Sequence, residues 1–141
     1  MIEEKGNLFE LDNSYALAHC VGSDFVMGAG IAKIFKQKYG NQEWLINNCK
    51  NIGETLLLSK DKVGINIFYL ITKKYSKYEK PTYENLEKAI IDMFKQATEH
   101  NILKIGMPKI GCGLDGKEWS IVKEIIAKHR PNNIEIIIRY I

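Results

Sequence analysis

The sequence predicts an α/β fold with a mixed, mainly parallel sheet covered by helices on both faces. Three observations lead there. In the second half, amphipathic helical stretches alternate with short apolar runs, the order in which a parallel sheet is wound. Two glycine-rich loops, at 27–30 and 107–115, each lead from an apolar run toward a helical one. Near the middle, turn residues separate two β-rich runs, which suggests one antiparallel pair.

In chain order, Ile2 to Lys5 is a short strand candidate ending at Gly6, and Asn7-Leu8-Phe9 is a tight turn with two apolar anchors. Tyr15 to Val21 is an apolar run bounded by Asp12-Asn13-Ser14 and Gly22-Ser23-Asp24, and it reads as a buried strand. His19 lies inside it. A lone histidine there reads first as a hydrogen-bonded core residue, and Cys20 beside it as a small apolar filler. Met27-Gly28-Ala29-Gly30 then opens a helix, Ile31 to Tyr39, that stops at Gly40. Lys33, Lys36 and Lys38 read as its solvated face. Gln42 to Asn48 is a short helix with Trp44, Leu45 and Cys49 turned inward.

Glu54 to Lys60 and Ile65 to Thr72 are successive strands, with Asp61-Lys62-Val63-Gly64 as the turn between them. Pro81 and the cap Thr82 introduce a long helix on which Leu86, Ala89, Ile90, Met93, Phe94 and Ala97 form one stripe. Leu103 to Met107 is a buried strand. Trp119, Val122, Ile125 and Ile126 are spaced as the inner face of the next helix. His129 to Asn133 breaks the chain, and Ile134 to Ile141 closes it as a strand.

Composition narrows the function classes. With 141 residues the chain is one domain by length, large enough to bury a core without staples. Its three cysteines, Cys20, Cys49 and Cys112, are odd in number and lack C-x-x-C spacing, which argues against a disulfide framework and a structural zinc. A reducing, cytoplasmic setting is expected. No apolar run approaches a membrane span and the N-terminus lacks a signal core, so no membrane is expected among its partners. A net charge of +3 is too mild to favour nucleic acid strongly, yet it suits an anionic small ligand.

The stretch Met107 to Asp115, M-P-K-I-G-C-G-L-D, is where chemistry is expected. Gly111 and Gly113 flank one small residue, so the backbone can take positive φ and approach a ligand closely. Amides of such a loop suit a phosphate or pyrophosphate, and those of the loop at 27–30 can converge on the same ligand. Asp115 at the far lip is either a general acid or base or a helix N-cap; the loop leaves both open. Lys73, where the second central strand ends, is open in the same way. Partial desolvation there favours a neutral amine, a nucleophile able to form a Schiff base, but lysines also mark where strands meet water.

G-N-L-F at 6–9, A-H-C at 18–20, M-G-A-G-I-A at 27–32, Y-L-I-T-K-K at 69–74, K-P-T-Y-E-N-L at 80–86 and M-P-K-I-G-C-G-L-D at 107–115 together resemble a macrodomain. They are most similar to its terminal ADP-ribose glycohydrolase branch. The resemblance runs through nearly the whole chain in order and implies a three-layer α/β/α fold with a mixed, mainly parallel central sheet. It also implies ADP-ribose as ligand, with ADP-ribosylated protein, O-acetyl-ADP-ribose or ADP-ribosylated DNA as the substrate class. Lys73 would attack the anomeric carbon of the distal ribose, and Asp115 would act as general acid and base.

Carried over in the same way, Asn7 and Leu8 would meet the adenine and Ile141 would close its end. The loop residues Met27, Gly28, Ala29 and Gly30, with Pro108, Lys109, Ile110, Gly111, Cys112, Gly113 and Leu114, would wrap the diphosphate and distal ribose. Gly22, Ser23 and Thr72 complete the expected contacts. Asn7 stands where many macrodomains have aspartate, which predicts weaker adenine binding, and Gly22 stands where relatives carry serine. Reader modules without turnover and phosphatases of ADP-ribose phosphate are the alternatives in the family. Tyr75 and Tyr78 follow Lys73 and read as loop residues covering the site, able to stack a base. No cofactor and no metal are implied, since His19, His100 and His129 lie on separate elements. A monomer is expected.

Overall fold

The structure is a computed structural model that describes residues 1–75 and 79–141; Tyr78 lies outside them. Six strands form one sheet: β1 (Ile2–Lys5), β2 (Ala16–Gly22), β3 (Thr55–Leu58), β4 (Ile67–Lys73), β5 (Lys104–Met107) and β6 (Glu135–Tyr140). Their order across the sheet is β1-β6-β5-β2-β4-β3, and every neighbouring pair is parallel except β3 with β4. The helices are α1 (Gly30–Tyr39), α2 (Gln42–Asn47), α3 (Lys60–Val63), α4 (Tyr83–Glu99) and α5 (Trp119–His129), with a 3-10 turn at Leu8–Glu10.

β4 shows why the sheet sits at the centre. Its first six residues are all buried, and by strand alternation Phe68 and Leu70 face one core while Ile67, Tyr69 and Ile71 face the other. The first core is built against α4 and α5, whose Leu86, Ile90, Met93, Val122 and Ile126 point inward. The second is closed by Phe35 of α1, Leu45 of α2 and the 3-10 turn. Helices thus cover both faces, giving the three-layer α/β/α arrangement.

α4 starts where expected, with the Thr82 side chain accepting from the Asn85 amide. Its far half anchors the edge strand β3. Asp92 Oδ2 accepts from the Thr55 amide at 2.8 Å, Thr55 Oγ1 donates to the Ala89 carbonyl at 2.8 Å, and Gln96 Nε2 donates to the Thr55 carbonyl.

The connection at 60–63 differs from the expected turn. Ser59 caps it by accepting from the Asp61 amide, so Lys60–Val63 winds one helical turn, which Gly64 at φ +89° ends. The strand before it is correspondingly shorter than Glu54 to Lys60.

Candidate active site

The carboxyl ends of β2, β4 and β5 open into a cleft of about 670 Å³, a size typical of small-molecule sites. Cys20, Val21 and Gly22 form its floor, Lys73 stands on one wall, and the loops at 26–32 and 108–115 form the rim.

Lys73 is the last residue of β4 and the first on that strand to leave full burial. The ladder between β2 and β4 shifts register there, pairing Gly22 with Lys73 after Val21 pairs with Ile71. Irregularities of this kind re-aim a side chain at the rim of a sheet. Ser23 fixes the strand end: its amide donates to the Lys73 carbonyl and its hydroxyl to the Lys74 carbonyl, both at 2.9 Å. Lys73 Nζ then lies 2.6 Å from Asp115 Oδ1, with the two side chains 11% and 15% exposed.

Asp115 reaches that position because the helix behind it begins only at Trp119, the first residue of the apolar spacing. The N-cap of α5 is Glu118, whose amide donates to the Tyr83 hydroxyl at 3.0 Å. The capping role left open for Asp115 is therefore excluded, and its carboxylate serves Lys73 instead. Between β5 and α5 the loop folds on itself, with Cys112 N donating to Lys109 O, Gly116 N to Gly113 O and Lys117 N to Gly111 O. Gly111 takes φ +73°, and a Cβ there would lie 3.2 Å from Leu86 Cδ2. Gly113, also expected to take positive φ, does not.

On the opposite rim, Gly30 begins α1 and the N-cap Ala29 offers no side-chain hydrogen bond. No side chain therefore caps the amides of the first turn, whose residues Gly30, Ile31 and Ala32 line the cleft. The approach to that turn is strained. Phe25 and Met27 hold φ of +49° and +50° with their side chains buried, a conformation that costs about 1 kcal/mol or more for such residues. Burial of both side chains in the core offsets it, and Gln42 Nε2 donates to the Phe25 carbonyl at 2.8 Å. Lys36, expected on a solvated face, reaches back to the Val26 carbonyl at 3.3 Å.

The cleft gathers Gly22, Met27, Gly28, Ala29, Gly30, Lys73, Pro108, Lys109, Ile110, Gly111, Gly113, Leu114 and Asp115 from the expected residues. It leaves others outside its lining. Ser23 ties strand ends as described. Thr72 is 1% exposed, with a hydroxyl that has no hydrogen-bond partner. Cys112 donates its thiol to the Ile110 carbonyl, and Leu8 is buried beside Gly106 in β5. Asn7 caps the 3-10 turn, accepting from the Phe9 amide at 2.9 Å. One acceptor oxygen still has a second lone pair for a ligand. Ile141 is fully exposed beyond β6.

Val26, Ile31 and Ala32 line the cleft without having been singled out, because apolar residues next to a glycine-rich turn carry no signal separating rim from core. Cys20, read as a filler, lines the floor as well. Burial, with the Asp115 carboxylate next in effect, pushes its thiol up, so it is present as a neutral group and not as a thiolate. His19 does sit in the core, but it is not hydrogen-bonded: it stacks on Phe35 with centroids 3.8 Å apart, and both ring nitrogens lack partners. Burial holds it down at about 3. Among the described residues no three His, Cys, Asp or Glu side chains cluster as a metal site requires, and no helix is long and apolar enough to cross a membrane.

Residues 18–126 match the family model described as Macro domain. The chain belongs to the macro domain family. It is 44% identical over 122 residues to the ADP-ribose glycohydrolase OARD1 of Homo sapiens, a match spanning 86% of this chain and 78% of that protein. Among solved structures, this macrodomain superposes on that of Thermus aquaticus DarG with a TM-score of 0.86, 24% identity and coverage of 99% and 97%. It also superposes on Thermosipho africanus DarTG in complex with ADP-ribose, with a TM-score of 0.74 and 21% identity over 91% of this chain and 39% of the other. At those identities the likeness is one of fold.

Proposed function

We propose that this macrodomain is an ADP-ribosyl hydrolase that releases ADP-ribose from carboxylate esters, such as modified glutamate or aspartate on proteins, or from O-acetyl-ADP-ribose. The observation that carries the reading is the contact of Lys73 with Asp115 at 2.6 Å, inside a cleft whose opposite rim offers uncapped backbone amides. The likeness to OARD1 supports the same ligand class. A module that only held ADP-ribose would need the amides but not a mostly buried amine and carboxylate in contact.

The amides of the Gly28–Gly30 turn and of the Lys109–Leu114 loop hold the diphosphate, delivering the distal ribose to the floor between Lys73 and Asp115. Asp115 takes a proton from the Lys73 ammonium. The freed amine bonds to the anomeric carbon as the carbon–oxygen bond to the carboxylate leaving group breaks, and that carboxylate departs with the bonding pair. The ammonium so formed loses its extra proton to water, and the glycosylamine opens to an iminium as the Asp115 carboxyl gives its proton to the ring oxygen, which returns Asp115 to a carboxylate. Water, deprotonated by Asp115, adds to the iminium carbon, and the amine leaves with a proton to regenerate the pair and free ADP-ribose. Binding energy from the remote nucleotide helps to bring carbon and nitrogen together.

Trapping tests this. After incubation with ADP-ribose and a reductant for iminium ions, the denatured protein is expected to carry added mass on Lys73, and Lys73→Ala to carry none. No adduct, together with full release of ADP-ribose by Lys73→Ala, would falsify the mechanism.

A further inference from the structure

The tip that carries Asp115 has almost no apolar anchorage. Leu114 is 67% exposed, and a Cβ added at Gly113 or Gly116, on either side, would meet nothing within 4 Å. Packing therefore contributes little at residues 113–116 beyond the Leu114 side chain beside Gly30, and polar contacts supply the rest. One is the bond from Gly116 N to the Gly113 carbonyl at 3.1 Å, and another is Lys73 itself. A third comes from outside the loop: Lys80 Nζ donates to the Leu114 carbonyl, the peptide oxygen immediately before Asp115. Three residues on from Lys80, the start of α4 adds Tyr83, whose hydroxyl receives the Glu118 amide and whose ring lies under Lys117 Nζ at 5.0 Å.

These contacts are unequal during turnover. Lys73 holds the carboxylate, yet the proposed reaction requires Lys73 to leave it and bond to the sugar carbon. At that stage Asp115 has lost its ion-pair partner and must still deliver a proton-accepting oxygen to the incoming water. Two restraints remain next to it, the bond from the Gly116 amide to the Gly113 carbonyl and the Lys80 bond to the adjoining peptide, of which the second is charge-assisted and comes from outside the loop. A carboxylate that drifts by about 1 Å loses much of its effect as a base.

From this we infer that Lys80 is a positioning residue: by holding the Leu114 carbonyl it keeps Asp115 aimed at the sugar during the steps in which Lys73 is covalently occupied. The inference rests on the proposed hydrolase reading and extends it to a residue outside the cleft lining.

The full-length wild type, Lys80→Met and Lys80→Arg are compared in release of ADP-ribose from a glutamate-linked protein substrate and in amide exchange of residues 113–116. In Lys80→Met kcat is expected to fall about tenfold while KM stays within about twofold. Exchange at 113–116 should quicken, and the Lys73 adduct should accumulate because its resolution waits on Asp115. Arginine keeps a donor at that position and should recover most of the rate. A kcat in Lys80→Met equal to wild type overturns the assignment, as does a loss that arginine leaves unrepaired. If the wild type itself releases nothing, the functional reading fails separately. Lys80 is then judged on exchange alone, and an unchanged rate at 113–116 counts against it.

Discussion

Lys73 Nζ and Asp115 Oδ1 stand 2.6 Å apart although 42 positions separate them in the chain, and both side chains are almost nine-tenths covered. Each is brought in by its own element: Lys73 by the end of a buried strand, Asp115 by a loop that postpones the next helix to Trp119. Removing either partner leaves the other charge poorly solvated. Lys73→Met and Asp115→Asn are each expected to lower stability by about 1–3 kcal/mol in denaturant melts. The double variant should lose less than the sum of the two. Activity should fall by more than about a hundredfold in each, with the ADP-ribose Kd altered far less. Additive stability losses would show that the two groups are not coupled.

His19 makes acid stability a separate matter from catalysis. Burial without a hydrogen-bond partner holds its folded pKa near 3, below the ordinary 6.5. Between those values the unfolded chain binds a proton that the folded chain refuses, so stability must fall as pH drops from about 6.5 toward 3. The slope approaches about 1.4 kcal/mol per pH unit from this group alone. His19→Phe keeps a ring against Phe35 and removes the titration. Its melting temperature is expected to decline less than that of wild type between pH 6.5 and 4, and parallel curves would refute the account.

Gly111 and Gly113 should respond differently to alanine. Gly111 holds φ +73° with Leu86 close by, so Gly111→Ala is expected to cost about 1–2 kcal/mol and to weaken ADP-ribose binding through the distorted loop. Gly113→Ala meets nothing within 4 Å and has no such φ, so its melting temperature should match wild type. Calorimetry of both variants then separates loop strain from ligand contact: binding lost at position 113 without loss of stability would mark direct approach of the ligand.

The edge strand β3 depends on α4 through polar contacts. Asp92 accepts the Thr55 amide and Gln96 donates to the Thr55 carbonyl, with Thr55 wholly buried. Asp92→Ala leaves that amide unsatisfied and is expected to destabilise the protein by about 1–3 kcal/mol. Amide exchange along Thr55–Leu58 should quicken more than along β4. Uniform acceleration of both strands would instead indicate global unfolding.

Much of this architecture was legible because burial leaves a periodic mark. The stripe from Leu86 to Ala97, the apolar run at Ile67–Ile71 and the turn residues before β4 report which face is covered, and the antiparallel pair and the helix-strand alternation follow. Both glycine loops could be placed at strand ends for the same reason. Pairing at long range leaves no such mark. Nothing near Asp115 distinguishes a helix beginning at 116 from one beginning at 119, so cap and acid-base roles could not be separated locally. The strained backbone at Phe25 and Met27 is harder still, since neither residue type favours positive φ and only the surrounding core imposes it. His19 was rightly assigned to the interior, but its missing partners depend on what α1 happens to offer, which is Phe35.

The pairing of β1 with β6 has a practical outcome. Because the two strands run side by side in the same direction, Met1 and Ile141 lie at opposite ends of the strands. Tyr140 lies 4.2 Å beneath the Lys109 ammonium at the cleft, so a label, surface linker or fusion partner joined after Ile141 would crowd the entrance. The same attachment ahead of Met1 would leave access open, which makes the amino end the place to immobilise this protein for binding work.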